Sequence, residues 1–285
     1  SGSRSRRPWS RPGRCPLAEQ ARASGFVSRL ERFDRVESTQ AVVRAWLAAG
    51  TEEVCLAVAD VQSDGRGRLE RVWQDRPGSA LLVSAGFRPL TLPLAHAWRL
   101  PAIASIAMVG AATSLLGPTA DRLALKWPND IVAVHRGELL KVAGVLTETS
   151  IEGDRLATAV VGLGVNVDWA RDDYPDDLAD SMWSLSEASG RRRIDRDALL
   201  EAWLQRLAPL YEELRAGHFD ALRWADAQIT TGATVEVETD GETVRGVAVG
   251  VDRESGSLLV RTGPGRPLSA IAVGDVRRCT VEDAA

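Results

Sequence analysis

The stretch Asp64-Gly65-Arg66-Gly67-Arg68-Leu69-Glu70-Arg71-Val72-Trp73 sets two glycines among three arginines. Glycine lets a backbone turn at positive φ and approach a ligand without a Cβ clash. Guanidinium groups offer bidentate, charge-assisted hydrogen bonds to carboxylate and phosphate, each of about 1.5–3 kcal/mol. The segment therefore reads as a loop that grips phosphate and carboxylate, the combination required when a nucleotide activates a carboxylate. Arginine-glycine runs also mark nucleic-acid-binding or unstructured segments, so the neighbouring motifs decide the reading.

The elements around the loop must position it. Glu37-Ser38-Thr39-Gln40 runs into Ala41–Leu47, an amphipathic helix ending at Gly50 with Ser38 or Thr39 as N-cap. A helix start either caps itself or holds a polar ligand head, and spacing leaves both open. Val54 to Ala59 reads as a short buried strand, Gln62 leads into the loop, and Ser79 to Phe87 reads as the next strand. The loop thus joins two strands. Residues 93 to 116 read as an alanine-rich helix, buried along one side.

Leu123–Lys126 reads as a strand stopped at Trp127-Pro128, which leaves Asn129-Asp130 at its end. That pair is either a plain turn or a one-carboxylate holder for Mg²⁺ beside a nucleotide. Ile131–Val134 and Leu139–Glu148 form a hairpin with His135 exposed at its tip. Its second strand carries Lys141 and Gly144, and the missing side chain of Gly144 permits close approach. In the strand from Arg155 to Val167, Gly162 and Gly164 fall on one face. Either a flat ligand or a packed neighbour fits against that face. After an acidic loop, residues 195 to 217 form a core helix containing Trp203. From about Thr230 the period switches to two, giving four or five short strands and a small barrel.

Composition narrows the function further. Lys+Arg 35 against Asp+Glu 39 gives a net charge of -4, so no global basic field recruits nucleic acid and any anion site is local. Cys15, Cys55 and Cys279 have no CxxC spacing, which argues against disulfides or zinc and for a cytoplasmic protein. No run of about 18 apolar residues suggests a membrane span. Residues 1–24, rich in arginine and proline, read as a disordered basic tail with no DNA-reading module.

These motifs, in this order, resemble biotin protein ligases, also called biotin–[acetyl-CoA-carboxylase] ligases. The resemblance rests on Glu37-Ser38-Thr39, Gln62 with Gly65-Arg66-Gly67-Arg68, Arg71 with Trp73, Lys126-Trp127-Pro128-Asn129-Asp130, Lys141–Leu146 with Glu148, and Gly162–Asn166. It covers the chain from about Phe33 to the end, in a form without an N-terminal DNA-binding domain. It implies an α+β fold, a mixed or antiparallel sheet flanked by helices as in class II synthetases, followed by a small SH3-like β-barrel. The implied divisions are 1–24 tail, 25–226 catalytic domain and 227–285 barrel.

The resemblance also implies a reaction. Biotin and ATP with Mg²⁺ form biotinoyl-5′-adenylate and pyrophosphate, and a lysine of a biotin carboxyl carrier domain then takes the biotin. Arg68 and Lys141 are the implied catalytic cations. The implied biotin and adenylate residues are Ser38, Thr39, Gln40, Gln62, Gly65, Arg66 and Gly67, with Trp73, Gly144, Gly162 and Gly164. Arg71, Lys126, Asn129 and Asn166 fall to ATP or pyrophosphate, and Asp130 to Mg²⁺. Members of this family often pair through the main sheet, so a homodimer is a further expectation. Two positions depart from the family pattern: Gln40 where asparagine is usual, and Glu70 where glycine is usual. A non-catalytic biotin or adenylate sensor and a lipoate-type ligase are the alternatives.

Overall fold

The computed structural model describes residues 25–281, so the basic tail expected over 1–24 lies outside the described residues. Seven strands form one sheet in the order β1-β2-β3-β7-β6-β5-β4: β1 Arg29–Val36, β2 Cys55–Gln62, β3 Ala80–Phe87, β4 Arg122–Lys126, β5 Asp130–His135, β6 Glu138–Glu152 and β7 Arg155–Asn166. Only β1 runs parallel to its neighbour, and every other pair is antiparallel. The sheet is therefore mixed, as expected.

Helices cover both faces, so the central strands read as continuous apolar runs. β2 is buried from Cys55 to Val61. On one face Cys55 and Ala57 meet Val43 and Leu47 of α1, Thr39–Ala48. On the other, Leu56, Val58, Leu81 and Val83 join the main core with α2, Arg99–Leu115, and α4, Arg196–Arg215. Gly50, at φ 88, donates to the Leu47 carbonyl at 3.1 Å and ends α1 at the expected residue. Arg196, the first residue of α4, pairs with Asp60 at 2.6 Å and ties that helix to β2. The short α3 spans Leu185–Ala188.

Two expectations change in detail. The helix read over 93–116 divides into a short turn, Leu94–His96, and α2, with Pro101 in its first turn, where a missing N–H costs no helical bond. The span Leu94–Leu115 is long and apolar enough to cross a membrane by length and composition, yet 50% of it is buried inside the protein. His135 is not simply exposed. Its Nδ1 lies 3.0 Å from both Asp121 oxygens and its ring packs on Trp183 at 4.7 Å.

A second sheet follows α5, Ala221–Asp226. It holds β8 Thr234–Glu238, β9 Thr243–Val251, β10 Leu258–Arg261, β11 Ser269–Ile271 and β12 Asp275–Thr280, ordered β11-β10-β9-β8-β12. The last strand returns to pair with the first, consistent with an SH3-like unit. β11 and β12 make no ladder with each other among the described residues, so the barrel is not closed by backbone pairing. This sheet docks firmly on the first. Trp127 Nε1 donates to the Gly256 carbonyl at 3.0 Å, Trp98 Nε1 to the Glu254 carbonyl at 3.2 Å, and Leu125 N to the Ala227 carbonyl at 3.0 Å.

Candidate active site

The loop after β2 closes on itself. Gly67 N donates to the Arg71 carbonyl at 2.7 Å and Trp73 N to the Gly65 carbonyl at 2.8 Å. Gly65 is required there, since a Cβ would stand 2.9 Å from the Trp73 carbonyl oxygen. The left-handed residue of the turn is Leu69, at φ 54 and ψ 45, not its neighbour Glu70. The Glu70 side chain lies outside the described residues.

Arg68 points inward, donating to Asn129 Oδ1 at 3.3 Å and the Gly274 carbonyl at 3.1 Å. Burial pulls its pKa down, against the nearby charges of Asp275 and Asp130. Arg71 forms an ion pair with Asp275. Arg66 stays exposed and pairs with Asp64 at 2.8 Å, a bond that raises its pKa.

The floor of the site is glycine. Trp73 lies flat against β7 and β6: a Cβ on Gly164 would meet Trp73 Cε2 at 2.4 Å, and one on Gly144 would meet Cζ3 at 3.1 Å. Gly162 makes room for Gln40, whose carboxamide carbon would be 2.9 Å from an added Cβ. The bare glycine face is thus a seat for two side chains of the protein itself. Trp73 Nε1 is buried without a hydrogen-bond partner, which leaves a donor for an oxygen of a bound molecule.

Polar groups frame this floor. Gln62 Oε1 accepts from Thr39 N at 2.8 Å and Thr39 Oγ1 at 3.0 Å, and that hydroxyl sits 2.7 Å from Ser84 Oγ. The amide oxygen is thereby fixed, and its nitrogen is the end that can meet a ligand. Ser38 is the N-cap of α1 in backbone geometry but makes no side-chain cap bond. Gln40 Nε2 donates to the Leu146 carbonyl at 3.1 Å. Lys141 Nζ pairs with Asp130 Oδ1 at 2.7 Å across β5 and β6. Asn129 donates to the Val145 carbonyl at 2.8 Å, Lys126 to the Val276 carbonyl at 3.2 Å, and Asn166 to the Trp183 carbonyl at 3.2 Å.

Together these groups line a cavity of ≈ 410 Å³, within the range of small-molecule sites. Its cations are Arg66, Arg68, Arg71, Lys126, Lys141 and Arg277, its acids Asp130 and Asp275. A surplus of positive charge in a half-enclosed cleft suits an anionic ligand. Of the residues expected at the site, Ser38 and Gly65 do not line the cavity.

A scan against family models matches residues 32–166 to the biotin/lipoate A/B protein ligase family. The biotin–[acetyl-CoA-carboxylase] ligase of Mycobacterium tuberculosis is 30% identical over 252 residues, 87% of this chain and 88% of that protein. The bifunctional ligase/repressor BirA of Bacillus spizizenii is 34% identical over 234 residues, 81% of this chain and 69% of that one. The chain belongs to the biotin protein ligase family. A structure of the Aquifex aeolicus biotin protein ligase in complex with biotin and ATP agrees, at TM-score 0.71 and 26% identity, covering 88% of this chain and 99% of that one.

Sequence reasoning missed two walls of this biotin protein ligase's site. The acidic loop after β7 contributes Trp169, Tyr174, Leu178, Ser181 and Met182. It is pinned by Lys141 N donating to the Ser181 carbonyl at 2.8 Å and Trp183 N to the Lys141 carbonyl at 2.9 Å. Trp169 and Tyr174 stack at 4.9 Å and 8°. Two aromatics in an otherwise acidic loop directly after Asn166 were the available signal. The second wall is β12, with Asp275, Val276 and Arg277. Its polar residues read as the outer face of a strand, and no local signal marks them.

Proposed function

We propose that the cavity binds biotin and ATP side by side, forms biotinoyl-5′-adenylate and pyrophosphate, and delivers biotin to a lysine of a carboxyl carrier domain. The observation that carries this is one cavity that joins an apolar floor to a cluster of cations. A glycine floor under Trp73, with Val83, Val132 and Leu163 beside it, makes an apolar slot. Arg68, Arg71, Lys126 and Lys141 gather charge at the same opening. A mostly apolar carboxylic acid suits the first and a triphosphate the second.

In the first step a carboxylate oxygen of biotin attacks the α-phosphorus, and the bond from that phosphorus to the bridging oxygen of the β-phosphate breaks. Negative charge grows on the α-phosphoryl oxygens and on the leaving pyrophosphate. Lys141, aligned by Asp130, and Arg68, held by Asn129, are fixed cations that stabilise the former. Arg71 and Lys126 serve the latter. In the second step the carrier amine attacks the acyl carbon, AMP departs with the C–O bond electrons, and the amine loses a proton. The stacked Trp169 and Tyr174 give the adenine end a flat apolar wall.

Among the described residues no three His, Cys, Asp or Glu side chains converge as a metal site. That fits a Mg²⁺ held mainly by phosphates and waters with Asp130 as its one carboxylate. When bound, the ion would neutralise phosphate charge. The free thiols Cys55 and Cys279 support a cytoplasmic location.

The deciding test is biotin-dependent exchange of labelled pyrophosphate into ATP, on the parent chain and on Lys141→Ala and Arg68→Gly. Exchange by the parent that falls away in both variants is expected. Biotin binding without any exchange by the parent would turn the assignment to a biotin sensor.

A further inference from the structure

Three consecutive residues before and within β12 each hold one cation of the cavity. The Gly274 carbonyl accepts from Arg68 at 3.1 Å, Asp275 pairs with Arg71, and the Val276 carbonyl accepts from Lys126 at 3.2 Å. A fourth cation belongs to the same array. Arg277 Nη1 lies 3.3 Å from Asp275 Oδ2, while its Nε donates to Glu238 Oε2 at 2.6 Å, and Arg277 lines the cavity. One carboxylate oxygen of Asp275 is therefore shared by two guanidinium groups reaching it from different parts of the chain, the loop after β2 and β12 itself.

We infer that Arg277 is a polyphosphate-binding residue of this site, and that Asp275 is the protein's own anion, which a bound pyrophosphate or triphosphate displaces from Arg71 and Arg277. This deepens the ligase reading and rests on it. A guanidinium anchored through Nε by Glu238 keeps a second edge for an anion, and a carboxylate gripping two arginines marks where that charge belongs. Phosphate oxygens carry more charge than one carboxylate and offer more acceptors, so the exchange favours the ligand. Arg71 and Lys126 act on the leaving pyrophosphate in the reaction proposed above, and Arg277 stands beside Arg71, which sets its place at the β,γ end.

The experiment is calorimetric titration of the full chain with inorganic pyrophosphate, which needs no turnover, followed by exchange kinetics. Arg277→Ala is expected to weaken pyrophosphate about 10-fold and raise the KM for ATP by a similar factor, with the Kd for biotin alone unchanged. Arg277→Lys should recover part of the loss, and equal unfolding midpoints would exclude a folding defect. Asp275→Asn should tighten pyrophosphate several-fold by freeing both arginines. Unchanged pyrophosphate affinity in Arg277→Ala, or weaker affinity in Asp275→Asn, would overturn the inference. Pyrophosphate binding with these variant effects but no exchange by the parent would instead sink the ligase reaction and leave the anion site standing.

Discussion

Trp73 and Gly164 are packed so closely that a single added methyl group would stand 2.4 Å from indole Cε2. Gly164→Ala must therefore lift the indole or shift β7. The expected result is a loss of about 1–3 kcal/mol in stability, as for other overpacked sites, and at least 10-fold weaker biotin binding. Denaturant unfolding and calorimetric titration with biotin measure the two. Wild-type affinity in this variant would show that the floor is not where biotin lies.

Lys141 and Asp130, 2.7 Å apart, act as a unit. Lys141→Ala should lower the rate of adenylate formation by about 10²–10³, the usual size for removing one oriented donor from a developing oxyanion. At saturating Mg²⁺, Asp130→Asn should cost less, since the amide oxygen still orients the amine and phosphates and waters hold most of the metal. Single-turnover adenylate formation reads both, and a larger loss in Asp130→Asn would reverse their roles.

Cys55 is wholly buried between α1 and the sheet, and burial pushes its thiol up from 9.0 to about 11, against the charges of Arg29 and Arg88. The folded state holds this proton more tightly than the unfolded chain. Its contribution to stability is thus complete below pH 9 and lost as pH rises through about 11. Thermal midpoints should fall over that window, and less steeply in Cys55→Ala. An identical slope in that variant would assign the alkaline loss to other groups.

Residues 63–75 carry the left-handed Leu69 and the exposed Val72 in a loop whose own bonds, Gly67 N to the Arg71 carbonyl and Trp73 N to the Gly65 carbonyl, close it on itself. Biotin with ATP should slow amide exchange across this loop several-fold by closing it over the ligand, which keeps water from the adenylate. Exchange that ignores both ligands would remove any role in closure. Leu69→Gly should raise stability by about 1 kcal/mol, because it relieves the positive φ.

Much of this site was legible because its groups are local in sequence. Gly65, Gly67, Arg68 and Arg71 sit within one loop, and the period-two glycines of β7 announce a face that a large group must cover. Lys126 to Asp130 is a strand end whose proline sets its boundary. What was not legible depends on distant packing. That Trp73 fills the glycine face, that Asp130 pairs with Lys141, and that β12 walls the cavity follow from sheet order, where β5 meets β6 and the second sheet docks through Trp127. That Leu69 takes the left-handed turn likewise shows only in the closed ring of the loop.

The grip of Gly274, Asp275 and Val276 on Arg68, Arg71 and Lys126 makes the C-terminal sheet a poor module. Cut away, it would take one oxygen partner from each of Arg68, Arg71 and Lys126, leaving Arg68 with Asn129 Oδ1 alone. A graft from another family member would have to bring the Gly274 and Val276 carbonyls back within hydrogen-bond reach of Arg68 and Lys126 to hold those two cations in place. The two sheets share one hydrophobic core as well as one cavity, so neither half owns the site.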